Sequence, residues 1–272
     1  MSVLLSMRPQ RADEYVSFCE GVRRLTGVDL LQYKRGQMER RIRTFARGRG
    51  AAELDAYLRR LGADPAELEA FLDRVTINVS QLWRNPLEWE SLARDVLPEL
   101  AKAGRIRAWS AGSSYGAEAY TLAALILDTP GVRAGGVEIT GTDIDPRMVA
   151  LAREGRFSEE DARSAPAAQL ERWFERDGDG WLARRELQAA TRFETGDLLR
   201  MPFPPGRYDL VLCRNTVIYF TEEVRDALHA RLAASIRPGG YFLIGSTERV
   251  TRAAEAGLEV VRPFLYRKAV DL

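Results

Sequence analysis

The sequence predicts an α/β protein whose main sheet is parallel, with an all-α domain before it and a small hairpin subdomain inserted in it. Three observations carry this expectation. From Arg105 onward, short apolar runs alternate with helical stretches, the pattern of parallel strands joined by crossover helices. Residues 11–75 instead repeat their apolar side chains at helical spacing and contain no strand pattern. Between Gly155 and Phe193 there is neither a clean strand nor a long helix, but Asp177-Gly178-Asp179-Gly180 is a strong tight-turn signal.

Taken in order, the first helices break at Gly27, at Gly48–Gly50 and at Gly62–Pro65. This gives an N-terminal helical domain over residues 1–75. Residues 76–99 then read as a linker, with Pro86 opening a helix that runs to Pro98. A third domain spans residues 100–272. Its strands are expected at Ile106–Ser110, Val137–Thr142, Tyr208–Cys213 and Tyr241–Gly245, with one or two more around Pro263, and a helix at Glu222–Ser235. The 155–193 stretch is its inserted subdomain. The acidic turn within it lacks the further oxygen ligands and closing Glu of a calcium loop, so it is read as a turn.

Composition removes several function classes. With 40 Lys plus Arg against 39 Asp plus Glu, the chain has no overall field for nucleic acid, and no base-holding Asn-Pro-Pro-Tyr type motif occurs. No apolar run is long enough to span a bilayer, so no membrane insertion is expected. Cys19 and Cys213 fit no metal or disulfide spacing, and with no secretory signal in view the expected address is cytoplasmic. His229 is the single histidine, which excludes histidine-dependent hydrolases and His-rich metal sites; it reads as a partly exposed helical residue. No metal is expected.

A nucleotide-type pocket is visible in the order of the motifs. The first strand runs into Ala111-Gly112-Ser113-Ser114-Tyr115-Gly116 and then an apolar helix, and glycine there lets backbone approach a ligand closely. The spacing is not that of dinucleotide enzymes. The next strand ends at Asp143, placed either to meet ribose hydroxyls or to serve the turn, while Asp145 before Pro146 reads as a helix N-cap. Asp197 and Leu198 follow another strand, where the acid would take an adenine amino group, and Asn215 follows the buried strand ending at Cys213.

The segment Asn78-Val79-Ser80-Gln81-Leu82-Trp83-Arg84 resembles the Asn-x-Thr-x-Phe-Phe-Arg signature of the chemotaxis receptor methyltransferases of the CheR family. Gly116-Ala117-Glu118-Ala119-Tyr120 is similar to that family's Gly-Glu-Glu-Pro-Tyr turn. Cys213-Arg214-Asn215-Thr216-Val217-Ile218-Tyr219-Phe220 is similar to its Cys-Arg-Asn-x-x-Ile-Tyr-Phe block. The match runs in the family's order over nearly the whole chain. It departs at Ser80, at Leu82-Trp83, at Ala117 and Ala119, at Asp197, and at Ser246, where the family has His.

The resemblance implies a Rossmann-like sheet that binds S-adenosylmethionine and releases S-adenosylhomocysteine. Its cofactor contacts, carried over by motif, fall on Asn78, Ser80, Arg84, Glu118, Asp143, Asp197, Leu198, Asn215 and Thr216, with Gly112 at the turn. It further implies methylation of glutamate side chains on the cytoplasmic coiled coil of a chemoreceptor. Arg84 would hold either a substrate carboxylate or that of the cofactor. Tyr219 would orient a carboxylate oxygen, or else be a core tyrosine. On the helix around Met38 and Ile42, Arg40, Arg43 and Arg47 lie opposite the apolar face and are expected to dock the acidic receptor. The Phe174–Leu187 hairpin is short, so binding of a receptor C-terminal tail peptide is not expected. The alternatives are a regulatory module that has kept the fold and lost the activity, suggested by Ala117, Ala119 and Ser246, and a methyltransferase with another substrate.

Overall fold

The structure is a computed structural model that describes residues 13–76 and 80–270. The chain divides into two units, residues 1–77 with Tyr219–Thr221, and residues 78–218 with 222–272.

Among the described residues, the first unit contains four α-helices, α1 (Glu14–Thr26), α2 (Arg35–Gly48), α3 (Leu54–Ala63) and α4 (Pro65–Thr76). Their ends follow local chemistry. The Asp13 carboxylate accepts the Tyr15 amide at 3.0 Å to cap α1, which closes at Gly27 in the left-handed conformation (φ 80°). Pro65 starts α4 where no amide is needed. The apolar faces meet in an aromatic cluster in which Phe18, Tyr57 and Phe71 have ring centroids 5.8–6.3 Å apart. Within it, buried Glu67 accepts from the Tyr57 hydroxyl at 2.9 Å and pairs with Arg60 at 3.1 Å. The Tyr219–Thr221 segment is joined to this unit by an antiparallel bridge of Tyr33 with Phe220, whose rings lie 4.9 Å apart.

The second unit opens with α5 (Pro86–Asp95) and α6 (Leu97–Ala101). The expected single helix to Pro98 is thus two. The break falls at Val96, and Pro98 sits in the first turn of α6, where its missing amide is harmless. There follow β1 (Ile106–Ala111), α7 (Ala117–Leu127), β2 (Val137–Asp143), α8 (Pro146–Glu154), β3 (Arg156–Ser158), α9 (Glu159–Ala162) and α10 (Ala167–Trp173). The chain continues through β4 (Phe174–Asp177), β5 (Gly180–Ala183), α11 (Arg185–Ala190), β6 (Thr191–Thr195), β7 (Tyr208–Cys213), α12 (Glu222–Ser235), β8 (Ile236–Ile244), β9 (Leu258–Arg262) and β10 (Leu265–Lys268).

Seven strands form one sheet in the order β6-β2-β1-β7-β8-β10-β9. The first five are parallel, and β10 returns antiparallel to both β8 and β9. The central strands are largely buried on both faces, with Ala108, Leu210 and Leu212 fully enclosed. Because β2 lies on one side of β1 and β7 on the other, the strand order reverses between β1 and β7. Such a reversal opens a crevice at the carboxyl ends of the strands. The inserted subdomain is a second sheet, β3-β5-β4, whose β4–β5 hairpin turns at Gly178-Asp179 as expected; β3 had no clear sequence signal.

Candidate functional site

The carboxyl ends of β1, β2, β6 and β7 bring most of the expected cofactor residues of the second unit together. After β1 the chain turns through Gly112 at φ 84°, and the Gly112 and Ser113 amides both donate to the Thr142 carbonyl, at 2.8 and 2.9 Å. A Cβ added to Gly112 would stand 2.4 Å from Thr216 Oγ1, so glycine is required both by conformation and by the chain that follows β7. Ser114, also left-handed at φ 49°, donates its amide to Asp143 Oδ2 at 2.7 Å. The other Asp143 oxygen accepts the Asp145 amide at 3.0 Å. Burial pushes the Asp143 carboxyl above the usual carboxylate range despite these amides. Asp145 caps α8 through the Arg147 amide at 2.9 Å, as its position before Pro146 predicts.

Beside β2, the Gly196 amide donates to the Asp143 carbonyl at 2.9 Å, so the β6 loop carrying Asp197 and Leu198 starts at the same rim. Leu198 is buried, and Asp197 is half-buried with its Oδ1 accepting the Leu199 amide at 2.8 Å.

The segment before α5 is held by several independent bonds. The Ser80 carbonyl accepts from the Tyr115 hydroxyl, and the Trp83 amide donates to Thr121 Oγ1 at 3.0 Å. Trp83 and Asn85 flank Arg84 in left-handed conformations, φ 51° and 61°. A buried tryptophan in that region is strained, and such strain collects where a side chain must be presented in one direction. Asn78 lies outside the described residues.

What sequence reasoning missed is the group that ties these pieces together. Arg214, at the end of β7 and 6% exposed, donates to the Arg84 carbonyl at 2.9 Å, pairs with Glu88 at 2.5 Å and with Glu118 at 3.3 Å, and lies 4.9 Å from the Trp89 ring centroid. Glu118, in the first turn of α7, also accepts from the Ser110 hydroxyl at 2.8 Å. Burial raises its carboxyl above the ordinary range while Arg214 opposes the rise. Glu248 is a second missed residue. It is buried, accepts the Gly245 amide at 2.6 Å and the Asn215 amide at 3.1 Å, and so fixes Asn215 at φ 57°. The available signal was a charged residue following the wholly apolar Leu210–Cys213 strand, which has to find partners if buried.

The remaining expected residues belong to the first unit or to α12. Tyr219 groups with the first unit, half-buried, with the Arg41 guanidinium 5.5 Å from its ring centroid. Arg40 and Arg47 are exposed on α2. Arg43 is not part of a free basic face: it is half-buried and bound to Glu14 and Glu39, both at 2.9 Å. His229 is not partly exposed either. It is 1% exposed, packed edge-on against Phe242, and neither ring nitrogen has a hydrogen-bond partner among the described residues.

The residues present fit an adenosyl cofactor. A glycine turn after the first strand, an acid at the end of the second strand and an acid after the neighbouring strand all lie on the crevice side of the sheet. Among the described residues no group of three or more His, Cys, Asp or Glu is placed to hold a metal ion.

A sheet of this order, carrying a glycine turn after its first strand and an acid at the end of its second, defines the Rossmann-like class of S-adenosylmethionine-dependent methyltransferases. Residues 78–262 match the CheR methyltransferase SAM-binding domain and residues 13–76 the CheR methyltransferase all-alpha domain, and the chain belongs to this family. It is 33% identical over 264 residues to a chemotaxis protein methyltransferase of Listeria monocytogenes, covering 96% of this chain and 100% of that one. It is 30% identical over 232 residues to chemotaxis protein methyltransferase 1 of Pseudomonas aeruginosa, 82% and 85% of the two chains. Among solved structures, a putative sarcosine dimethylglycine methyltransferase from Galdieria sulphuraria aligns with a TM-score of 0.40 and 15% identity, over 64% of this chain and 62% of that one. Among the described residues, no helix is long and apolar enough to cross a membrane.

Proposed function

We propose that the protein methylates glutamate side chains on the cytoplasmic coiled coil of a chemoreceptor, forming methyl esters, and that it works in the cytoplasm. The observation that carries this reading is the match of the chain to the two CheR methyltransferase domains. The rim acids are already engaged, Asp143 by the Ser114 and Asp145 amides, Glu118 by Arg214 and the Ser110 hydroxyl, Asp197 by the Leu199 amide and Glu248 by the Gly245 and Asn215 amides. A nucleophile that arrives ionised suits such a site. A glutamate side chain, with a free pKa of about 4.3, is ionised at neutral pH.

When bound, S-adenosylmethionine supplies an activated methyl on a sulfonium and leaves as S-adenosylhomocysteine; no metal is needed for that. Asp143 would accept from the ribose hydroxyls and Asp197 from the adenine amino group. Gly112 lets the turn pack against Thr216, and with Leu198, Asn215, Thr216, Ser80, Asn78 and Glu118 it completes the cofactor set. Arg84, aimed by its two left-handed neighbours, would hold a carboxylate through paired hydrogen bonds, and Tyr219 would orient one substrate oxygen. Arg40 and Arg47 supply the exposed charge for docking an acidic receptor. The hairpin turn of only Gly178-Asp179 leaves little surface, so no receptor tail peptide is bound there.

The test is transfer of tritium from labelled S-adenosylmethionine to receptor-enriched membranes. The expected label is base-labile, released as methanol, and maps to receptor glutamates. Binding of the cofactor without any transfer would instead support a module that has lost activity, and base-stable label would indicate another acceptor.

A further inference from the structure

Arg231, in the middle of α12, makes no ion pair among the described residues. Its guanidinium is used on neutral groups of one loop. Nη1 donates to the Leu198 carbonyl at 2.8 Å and to the Leu199 carbonyl at 3.0 Å, and Nη2 donates to the Met201 carbonyl at 2.5 Å. Its central carbon lies 4.2 Å from the Phe203 ring centroid, and that ring meets Trp109 of β1 edge-on at 4.7 Å. Three carbonyls and one ring of the 198–203 loop are thus held by one planar guanidinium. Lysine would not reproduce this, because an ammonium has three donors on one nitrogen but no spread fork and no plane with which to cover a ring as well.

The same loop begins with Asp197. The Arg200 and Met201 amides donate back to the Asp197 carbonyl at 2.9 and 2.8 Å, and the Asp197 carboxylate accepts the Leu199 amide at 2.8 Å and pairs with Arg200 at 3.5 Å, so the turn that Arg231 holds is the turn that holds the Asp197 side chain. We propose that Arg231 is a specificity-determining positioning residue, which fixes the β6–β7 loop so that Asp197 selects an adenine ring by its exocyclic amino group. This rests on the proposed role of Asp197. A carboxylate acceptor favours an amino group and is left facing a carbonyl when hypoxanthine replaces adenine, and a site built around one hydrogen bond rejects the ligand that lacks it.

The experiment is calorimetric titration of the full chain with S-adenosylhomocysteine and with S-inosylhomocysteine, its deaminated counterpart. Wild type is expected to prefer the adenine form by about tenfold or more. Arg231→Met should reduce that preference to within about threefold, Arg231→Lys should give an intermediate value, and Asp197→Ala should abolish it. Phe203→Leu, which keeps the guanidinium and loosens its stacking, provides a milder variant should Arg231→Met fold poorly, and should show a partial loss. Equal weakening of both ligands by Arg231→Met, with the preference retained, would overturn the role of Arg231 while leaving Asp197 in place. An unchanged preference in Asp197→Ala would remove the adenine reading itself and this inference with it.

Discussion

His229 gives the protein a defined sensitivity to acid. The imidazole is 1% exposed, and burial, aided by nearby Arg225 and only weakly opposed by Asp226, lowers its pKa from 6.5 to about 4. In the unfolded chain it takes up a proton near 6.5; in the folded chain it does so only near 4. Between these values the unfolded state binds more protons, so stability is full above pH 6.5 and is lost as the pH falls toward 4. At about 1.4 kcal/mol for each pH unit, the complete loss is on the order of 3 kcal/mol, of which roughly 2 kcal/mol has gone by pH 5. His229→Leu keeps an apolar side chain against Phe242 and removes the titration. Urea unfolding of both proteins at pH 7 and pH 5 isolates the effect, because the raised carboxyls of Asp143, Glu118 and Glu248 are common to both. The variant should lose about 2 kcal/mol less than wild type over that interval. Equal losses, within about 0.5 kcal/mol, would refute the assignment of a buried neutral imidazole.

Arg214→Met should strand Glu88 and Glu118, destabilise the protein by about 3–5 kcal/mol and abolish S-adenosylhomocysteine binding, with Arg214→Lys losing less, as read by urea unfolding and calorimetry. Gly112→Ala should weaken S-adenosylhomocysteine binding by about tenfold or more, since the added methyl meets Thr216 Oγ1 in a left-handed turn; normal affinity by titration would contradict the role of that turn. Double charge reversal, Arg40→Glu with Arg47→Glu, should slow receptor methylation several-fold and leave cofactor affinity unchanged, the slowing diminishing at high salt. Arg43→Glu should instead lower the melting temperature, because it places a third acid beside Glu14 and Glu39.

The sequence made the sheet legible because β1, β2 and β7 are short, mostly buried stretches rich in apolar and β-branched residues, set off by glycine or polar residues and alternating with helical segments. The helix ends were legible for the same local reason: Gly27, Pro65 and Pro86 each suit only certain backbone positions. Much less could be read where partners are distant in the chain. Arg214 meets Glu118 across 96 residues and Glu88 across 126, and no periodicity records such pairings. Helical periodicity could place Arg43 away from the apolar stripe, but not show that Glu14 of another helix reaches it. His229 was misread because α12 has a weak apolar stripe, so the side facing β8 cannot be told from its neighbours. The short β3 consists of an exposed, a buried and an exposed residue, too few to separate from a turn.

The Arg214 cluster also constrains how this domain can be rebuilt. One cation answers to an acid on α5, an acid on α7 and a carbonyl of the segment between Trp83 and Pro86, so the three stretches are not interchangeable parts. A graft that replaced residues 80–99 with the same stretch of a relative, to alter which protein is methylated, would have to carry compatible charges at 88, 118 and 214 together. Single exchanges should look worse than the combined one, since groups sharing one buried cation do not contribute additively.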